Sequence, residues 1–514
     1  MCPAGCARHH RGLTVIKRAA DPCCDHGRTD TMTAADLFAP FASRRPSRPA
    51  FAAWALSGSV LLTACATVTP SREPAVQAVS VPPQWSQPVP PGAQPLAHWW
   101  RHFDDEGLVR WVDAALAAST DIATARAQWQ RARAAGRLAE AGLAPTLGVT
   151  ASTQRARPAA GGAAASLFQA GFDASWEPDV WGGQSHAVQA AQADEQAARA
   201  ALAATQVAVA AEMAQLFVQW RSLQQRAAHT ESSLQTQEQT LQLVRWRRQA
   251  GLAGALEVEQ ARSAAEQLRA LLPQIRTSQA QTRHAMALLA GLAANASGPE
   301  VRPDGGVPQP PRELAVAVPA AALRQRPDIQ AALAQMEAAA ERVAQADASR
   351  RPTLAMRAST AWSALTLSSL GGAPAALLLA GSVSQPLFDG GRRDAAWAVQ
   401  AAAFDVAAEA YRARVLQALQ EVQDALAGID GARWRLQALQ QADEASAQAA
   451  LLARHRYVGG LVDFQSVLDT QRTRLSVQDG LAQAQADWAI QHIRLVKALG
   501  GGWEAAQPGQ GATK

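Results

Sequence analysis

The sequence predicts a mainly α protein with a small transmembrane β part. Three features lead there. Ala- and Gln-rich stretches at helical period run far beyond the length of an ordinary globular helix. Four short runs read as strands, three of them alternating apolar and polar residues at the period of a strand. The same order of elements occurs twice along the chain.

The first segment is set apart by its charge and its cysteines. Of 48 Lys and Arg and 43 Asp and Glu, eight and four fall in residues 1–64, leaving 40 basic and 39 acidic in the remainder. The net charge of +5 belongs mostly to this leader. No basic stripe with interleaved aromatics follows it, so nucleic acid is not an expected partner. All five cysteines, at 2, 6, 23, 24 and 65, precede residue 66. The rest of the chain can form neither an internal disulfide nor a Cys-based zinc site. Met32 is a credible start, which makes residues 1–31 an over-long reading of the gene. Arg44, Arg45 and Arg48 then form a positive region ahead of Phe51 to Leu62, an apolar run too short to span a bilayer but of signal-peptide length. Leu62-Thr63-Ala64-Cys65 closes the 32–64 signal and resembles the bacterial lipobox. There, a thiol takes up diacylglycerol by thioether formation and becomes the mature N-terminus. Two or three acyl chains on Cys65 give stable anchoring where one would not. This covalent lipid is the only cofactor expected. Ala66, in place of an inner-membrane-retaining Asp, fits export to the outer membrane. Residues 65–97, with eight prolines from 70 to 95, read as an extended tether.

The rest of the chain repeats itself. Asp121-Ile122 and Pro145-Thr146-Leu147 recur as Asp328-Ile329 and Pro352-Thr353-Leu354, both shifted by 207 residues. Gly251-Leu252 and Gly291 recur as Gly460-Leu461 and Gly500, shifted by 209. The chain is thus two halves, about 98–300 and 310–504, with a tail at 505–514. In each half a helix (about 121–143, 328–350) ends where proline forbids continuation. Two strand-like runs follow, then a very long helix (about 184–249, 391–457), a Gly-containing turn and a returning helix (about 256–290, 463–498). In 167–177, Phe168, Ala170, Phe172, Ala174 and Trp176 share one face and Gln169, Gly171, Asp173 and Ser175 the other, as lipid-facing and lumen-facing positions require. Run 146–153 alternates in the same way. In the second half Leu354, Met356, Ala358 and Trp362 share a face, whereas 375–384 is apolar on both. Four strands cannot close a membrane barrel, and an open edge in lipid is prohibitive, so other copies of the chain must complete it. Helices of about 66 residues would extend about 100 Å at 1.5 Å per residue and must be sheathed by others. Ala190, Ala197, Ala201 and Ala204 are the expected seam for close approach.

These residues carry a family resemblance. Trp99-Trp100 with Phe103 and Leu108, Ser175-Trp176-Glu177-Pro178-Asp179-Val180-Trp181-Gly182, Arg326-Pro327-Asp328-Ile329, Gln385-Pro386-Leu387-Phe388-Asp389-Gly390-Gly391, Tyr457 with Gly460 to Phe464, Leu468 to Arg472 and Ala498 to Trp503 occur in order. Over about 84–504 the chain resembles the outer-membrane channels of tripartite efflux pumps, of the TolC/OprM type, especially the lipoprotein (NodT-like) branch. The resemblance implies a homotrimer whose twelve strands form an outer-membrane β-barrel and whose helices form a periplasmic α-barrel. It implies a passive duct for small-molecule drugs or toxic compounds, with a periplasmic adaptor and an inner-membrane transporter of RND type as partners and outer-membrane lipid around it. Asp469 falls where the family places the acidic ring of the periplasmic aperture. Arg472, three residues on, can reach it on the same or a neighbouring helix. Tyr457 can donate its hydroxyl to that network. Gln465 stands where relatives carry a constricting Leu, which leaves Leu461 or Phe464 to supply the apolar seal. Gln325 stands where the family shows a second Arg before Pro327. The tips Gly251-Leu252 and Gly460-Leu461 fall where the family meets its adaptor.

No Ser-His-Asp order, phosphate-cradling loop or carboxylate dyad has supporting context, so no enzyme is expected. His98 and His102 lack a third ligand, and no metal site is expected. Two other readings stay open: a type I secretion channel on the same fold, and a lipid-anchored periplasmic coiled-coil scaffold. The alternating strands speak against the scaffold, which has no use for them.

Overall fold

The computed structural model describes residues 82, 83, 85, 96–157, 161, 163–296, 298–302, 305–311 and 325–501. The chain divides into two units, Met1–Ala66 and Thr67–Lys514. The leader and Cys65 lie outside the described residues, as do most of the 65–97 tether and the 505–514 tail.

A 3-10 turn, Trp99–Phe103, leads into α1 (Glu106–Ala118) and α2 (Thr120–Ala141). β1 (Thr146–Ala156), β2 (Ala165–Trp176), α3 (Gly183–Gln249) and α4 (Ala255–Leu289) follow. The order then recurs as α5 (Pro327–Ala348), β3 (Thr353–Ala364), β4 (Ala376–Ser384), α6 (Arg392–Val458) and α7 (Phe464–Ala498). Counterparts agree in length: 22 residues in α2 and α5, 67 in α3 and α6, and 35 in α4 and α7.

Local chemistry explains where these elements start and stop. Ser119 caps α2 by accepting from the Asp121 N–H at 3.3 Å, and Pro327 opens α5, where a missing N–H costs nothing. The long helices start on a shared device. Asp179 accepts from the N–H groups of Gln184 and Ser185 at 3.0 and 2.7 Å, and Asp389 from those of Gly391 and Arg393 at 3.0 and 3.2 Å. Burial raises the pKa of Asp179, but donation from Ser185 and Gln184 outweighs it and holds the carboxyl below its usual range. The four C-termini of α3, α4, α6 and α7 end alike. Gly251, Gly291, Gly460 and Gly500 take φ of +74°, +69°, +72° and +77°. After each, an N–H returns to the carbonyl five residues back, from Leu252, Leu292, Leu461 and Gly501, at 2.8–2.9 Å. This is the Schellman termination, and a Cβ at the glycine would strain it.

The four strands form one antiparallel sheet in the order β1-β2-β3-β4, so β2 of the first half pairs with β3 of the second. The register puts Val149, Phe172, Thr360 and Leu377 across from one another on one face, and Leu147, Ala174, Ala358 and Leu379 in the next row. Phe172 and Trp362 meet edge to face, 6.2 Å between centroids. The opposite face carries Gly148, Asp173 and Ser359, with Thr150 donating to Asp173 at 2.7 Å. The two-sided apolar run in β4 is split by the pleat: Leu377, Leu379 and Val383 join the apolar face, and Leu378 stands across from Ser359 on the polar one. Among the described residues, the outer edges of β1 and β4 have no strand partner.

α3 packs against α2, α4, α5 and α7, and α6 against α5 and α7. Its buried seam is Ala190, Ala193, Ala197 and Ala203. The expected Ala201 is exposed and Ala204 half-buried, because two flanking helices, not one, select the face that is covered. The main core sits midway along α3. There Val209, Met213 and Phe217 pack on Trp99, Trp100, Phe103, Leu108 and Trp111, with Met286 of α4 and Ile493 of α7. The Trp100 indole donates to Asp113 at 3.1 Å. A second tie is ionic. Buried Arg326 donates to Asp328 at 3.0 and 2.8 Å, to Glu421 of α6 at 2.8 Å and to the Ala498 carbonyl that ends α7 at 2.7 Å. Gln325 beside it is exposed. Below the sheet, the Trp181 indole donates to the Pro352 carbonyl at 2.6 Å, and Arg351 stacks 5.4 Å from its ring centre.

Candidate functional site

The two Schellman turns that close the hairpins α3–α4 and α6–α7 lie beside each other. A small core holds them, formed by Val244, Val258, Ala261, Tyr457, Phe464 and Val467. Arg247, near the end of α3, crosses between the hairpins. Its guanidinium lies 4.6 Å from the Tyr457 ring centre and donates to the carbonyls of Tyr457 and Val458 at 3.1 and 3.3 Å. A cation there also complements the negative end of α6. The Tyr457 hydroxyl donates to Glu257 of α4 at 3.2 Å. Burial, reinforced by the Glu257 charge, pushes the Tyr457 pKa up to about 12.

The expected donation from Tyr457 to the Asp469 pair is therefore replaced by one across the hairpins. Tyr457 is buried in the tip core, while Asp469 sits on the exposed face of α7. Arg247 and Glu257 were not among the residues singled out from the sequence. The signal that could have found them is a charge within one turn of each end of the Gly251 loop, beside one of only two tyrosines in the chain.

Gln465, Asp469 and Arg472 form one stripe at spacings of four and three along α7. Gln465 donates to Asp469 at 2.9 Å, and the Arg472 guanidinium stands 3.8 Å from the same carboxylate oxygen. More than half of each charged side chain is exposed, so the ion pair by itself contributes little to stability. Of the two candidates for an apolar seal, Phe464 is buried against Tyr457, with ring centres 5.3 Å apart, which leaves Leu461. Leu461 is 76 % exposed and Leu252, its counterpart, 68 %. A Schellman turn ordinarily folds this residue back onto its helix; here both project from the tips.

A stripe of polar groups beside the tips of paired hairpins is joined through very long helices to a sheet whose outer edges have no strand partner among the described residues. A model of the family described as outer membrane efflux protein matches residues 111–292 and 318–501. The chain belongs to that family.

Relatives of this outer membrane efflux protein agree along nearly its whole length. The pyoverdine export outer membrane protein OpmQ of Pseudomonas putida is 31% identical over 463 residues, covering 88% of this chain and 97% of the relative. Outer membrane protein OprJ of Pseudomonas aeruginosa is 30% identical over 473 residues, covering 89% and 97%. Among solved structures, the outer-membrane channel OprN superposes with a TM-score of 0.78 at 28% identity, over 85% of this chain and all of that one. The long-helix body with a four-strand β part is therefore the fold of an outer-membrane channel.

The Tyr457 environment is directly measurable. The chain has two tyrosines, and burial raises the pKa of Tyr411 as well. A tyrosinate absorbance titration should show a midpoint near pH 12 for Tyr457, absent from Tyr457→Phe. Because the folded value is raised, the stability linked to this hydroxyl is complete below the unfolded tyrosine value of about 10. It is lost as pH climbs toward about 12. A midpoint at the ordinary value would mean that Tyr457 is not buried against Glu257 in the tip core.

Proposed function

We propose that this chain is the outer-membrane exit duct of a tripartite efflux system, working as a homotrimer that conducts small molecules passively. The observation that carries this reading is the sheet. Its β1 and β4 edges have no strand partner among the described residues, and it continues into two helices of 67 residues each. Unpaired backbone groups in hydrocarbon cost several kcal/mol each, and three copies of four strands remove every edge. An inner-membrane transporter of RND type feeds the duct through a periplasmic adaptor, and the projecting Leu252 and Leu461 are the contacts offered to that adaptor. The relative named for pyoverdine export supports small organic molecules as the cargo class.

In the trimer, three copies of the Gln465–Asp469–Arg472 stripe surround the periplasmic mouth. Three carboxylates in a narrow ring repel one another and attract cations. Planar-bilayer conductance of the purified oligomer, with its mass measured alongside, tests both ideas. Discrete channels from a trimer, with conductance that rises in Asp469→Ala, are expected. A monomeric or non-conducting rod would remove the duct. A folded trimer whose Asp469→Ala variant conducts unchanged would remove the aperture role alone.

Cys65, outside the described residues, is the proposed lipid anchor. Intact mass of the mature protein should start at Cys65 and carry two or three acyl chains, and Cys65→Ala should lose them. A mature N-terminus elsewhere would refute the anchor.

A further inference from the structure

Above the tips, α3, α4, α6 and α7 border a half-open cavity of about 600 Å³ between the two hairpins. That volume suits a drug-sized ligand. Its polar lining is one-sided in charge. Three arginines line it, Arg454 from α6 and Arg472 and Arg474 from α7, together with His229 from α3. The one carboxylate is Asp479. It is already engaged, by a two-point pair with Arg226 and by Gln483 at 2.9 Å. Arg472 leans toward Asp469 at 3.8 Å, beyond hydrogen-bond reach. Arg454 and Arg474 have no carboxylate within 4.0 Å among the described residues. Leu271, Leu451 and Leu475 line the same space.

Unpaired guanidinium forks beside leucines suit one kind of molecule. The forks hold a carboxylate or sulfonate through two parallel N–H bonds, and the leucines cover a hydrophobic body. We propose that this cavity binds an amphipathic organic anion, with Arg454 and Arg474 on its acid group. The site draws on both hairpins, so an occupant there bridges α3–α4 to α6–α7. Nothing in it requires conduction, so its failure and the failure of the duct reading are separable.

The test is calorimetric titration of the full-length oligomer, held in zwitterionic lipid nanodiscs, with naphthalene-2-sulfonate. Heats from empty nanodiscs are subtracted, and 2-naphthalenemethanol serves as the neutral counterpart. Saturable binding of the sulfonate is expected, weakened by about tenfold or more in Arg454→Gln/Arg474→Gln. Arg412→Gln, elsewhere on α6, should bind as the unaltered protein does. The neutral compound should bind the unaltered protein and the double variant alike. Ser476→Trp, which fills the cavity and leaves every arginine in place, should abolish sulfonate binding. No saturable binding to the assembled oligomer would overturn the proposal, as would equal affinity in the double variant or in Ser476→Trp.

Discussion

Arg326→Ala is expected to cost about 3–5 kcal/mol, the range for removing one partner of a buried ion pair. The residue is 6 % exposed and satisfies three separate acceptors: Asp328 at the start of α5, Glu421 on α6 and the Ala498 carbonyl at the end of α7. Alanine would strand the Ala498 carbonyl and most of the Asp328 carboxylate, with Gly500 against the Arg326 backbone and stem, while Glu421, 41 % exposed, would turn to water. The loss should appear as a lower thermal midpoint for the helical signal and as weaker protease resistance around α5 and α7. Arg326→Lys should recover only part of it, because an ammonium cannot reproduce the two-point fork to Asp328. The effect has a pH signature. Burial raises the Asp328 pKa, yet the Arg326 bonds outweigh it and hold the carboxyl below its usual range. A depressed folded value contributes stability that is complete above the unfolded pKa and lost as pH falls through the folded one. The gap between the unaltered protein and the variant should therefore be full at neutral pH and close only in strong acid. An unfolding free energy within about 0.5 kcal/mol of the unaltered protein would show that the cluster is not a clamp.

Arg247→Ala is expected to separate the hairpin tips. The residue supplies a ring stack at 4.6 Å and two hydrogen bonds to the last carbonyls of α6, and it is the link between hairpins that Glu257 alone cannot replace. A stack and charged hydrogen bonds of this kind are worth about 1–3 kcal/mol together, and each 1.4 kcal/mol is a factor of ten in population. Open-channel occupancy should rise by about tenfold or more, with faster proteolysis at the tips. Tyr457→Phe keeps the ring under Arg247 and loses only the Glu257 bond, so its effect should be smaller. Unchanged occupancy in a folded Arg247→Ala oligomer would show that the tips are held elsewhere.

Most of the fold was legible because its boundaries are local. Pro145 and Pro352 each precede a strand by one residue, and the glycines at 251, 291, 460 and 500 each mark a helix end. Such signals act within a turn and need no knowledge of neighbours. What was not legible depends on how helices sit side by side. Ala201 repeats with Ala197 in sequence yet faces out, because the covered arc of α3 is set jointly by α2 and α5. At the candidate site the Gln465–Asp469–Arg472 stripe could be read along one helix. The partner of Tyr457 could not, since Glu257 lies 200 residues away on another hairpin. Phe464 shows the same limit: it adjoins the Gln465–Asp469–Arg472 stripe in sequence and is turned into the tip core by the phase of α7.

The core midway along α3 has a mechanical consequence. From Val218, at its lower edge, to Gln249 the helix runs on without a break, about 50 Å at 1.5 Å per residue. The Trp99–Trp100–Phe103 cluster is thus a fulcrum, and the paired helices below it are lever arms. A tilt of about 3° at the fulcrum swings the far end by about 2.5 Å, close to the span of one hydrogen bond. Arg226–Asp479, Ser222 on the Ala482 carbonyl and Gln471 on Thr240 tie α3 to α7 along those arms, so a reshaped indole pocket is expected to displace the two tips together.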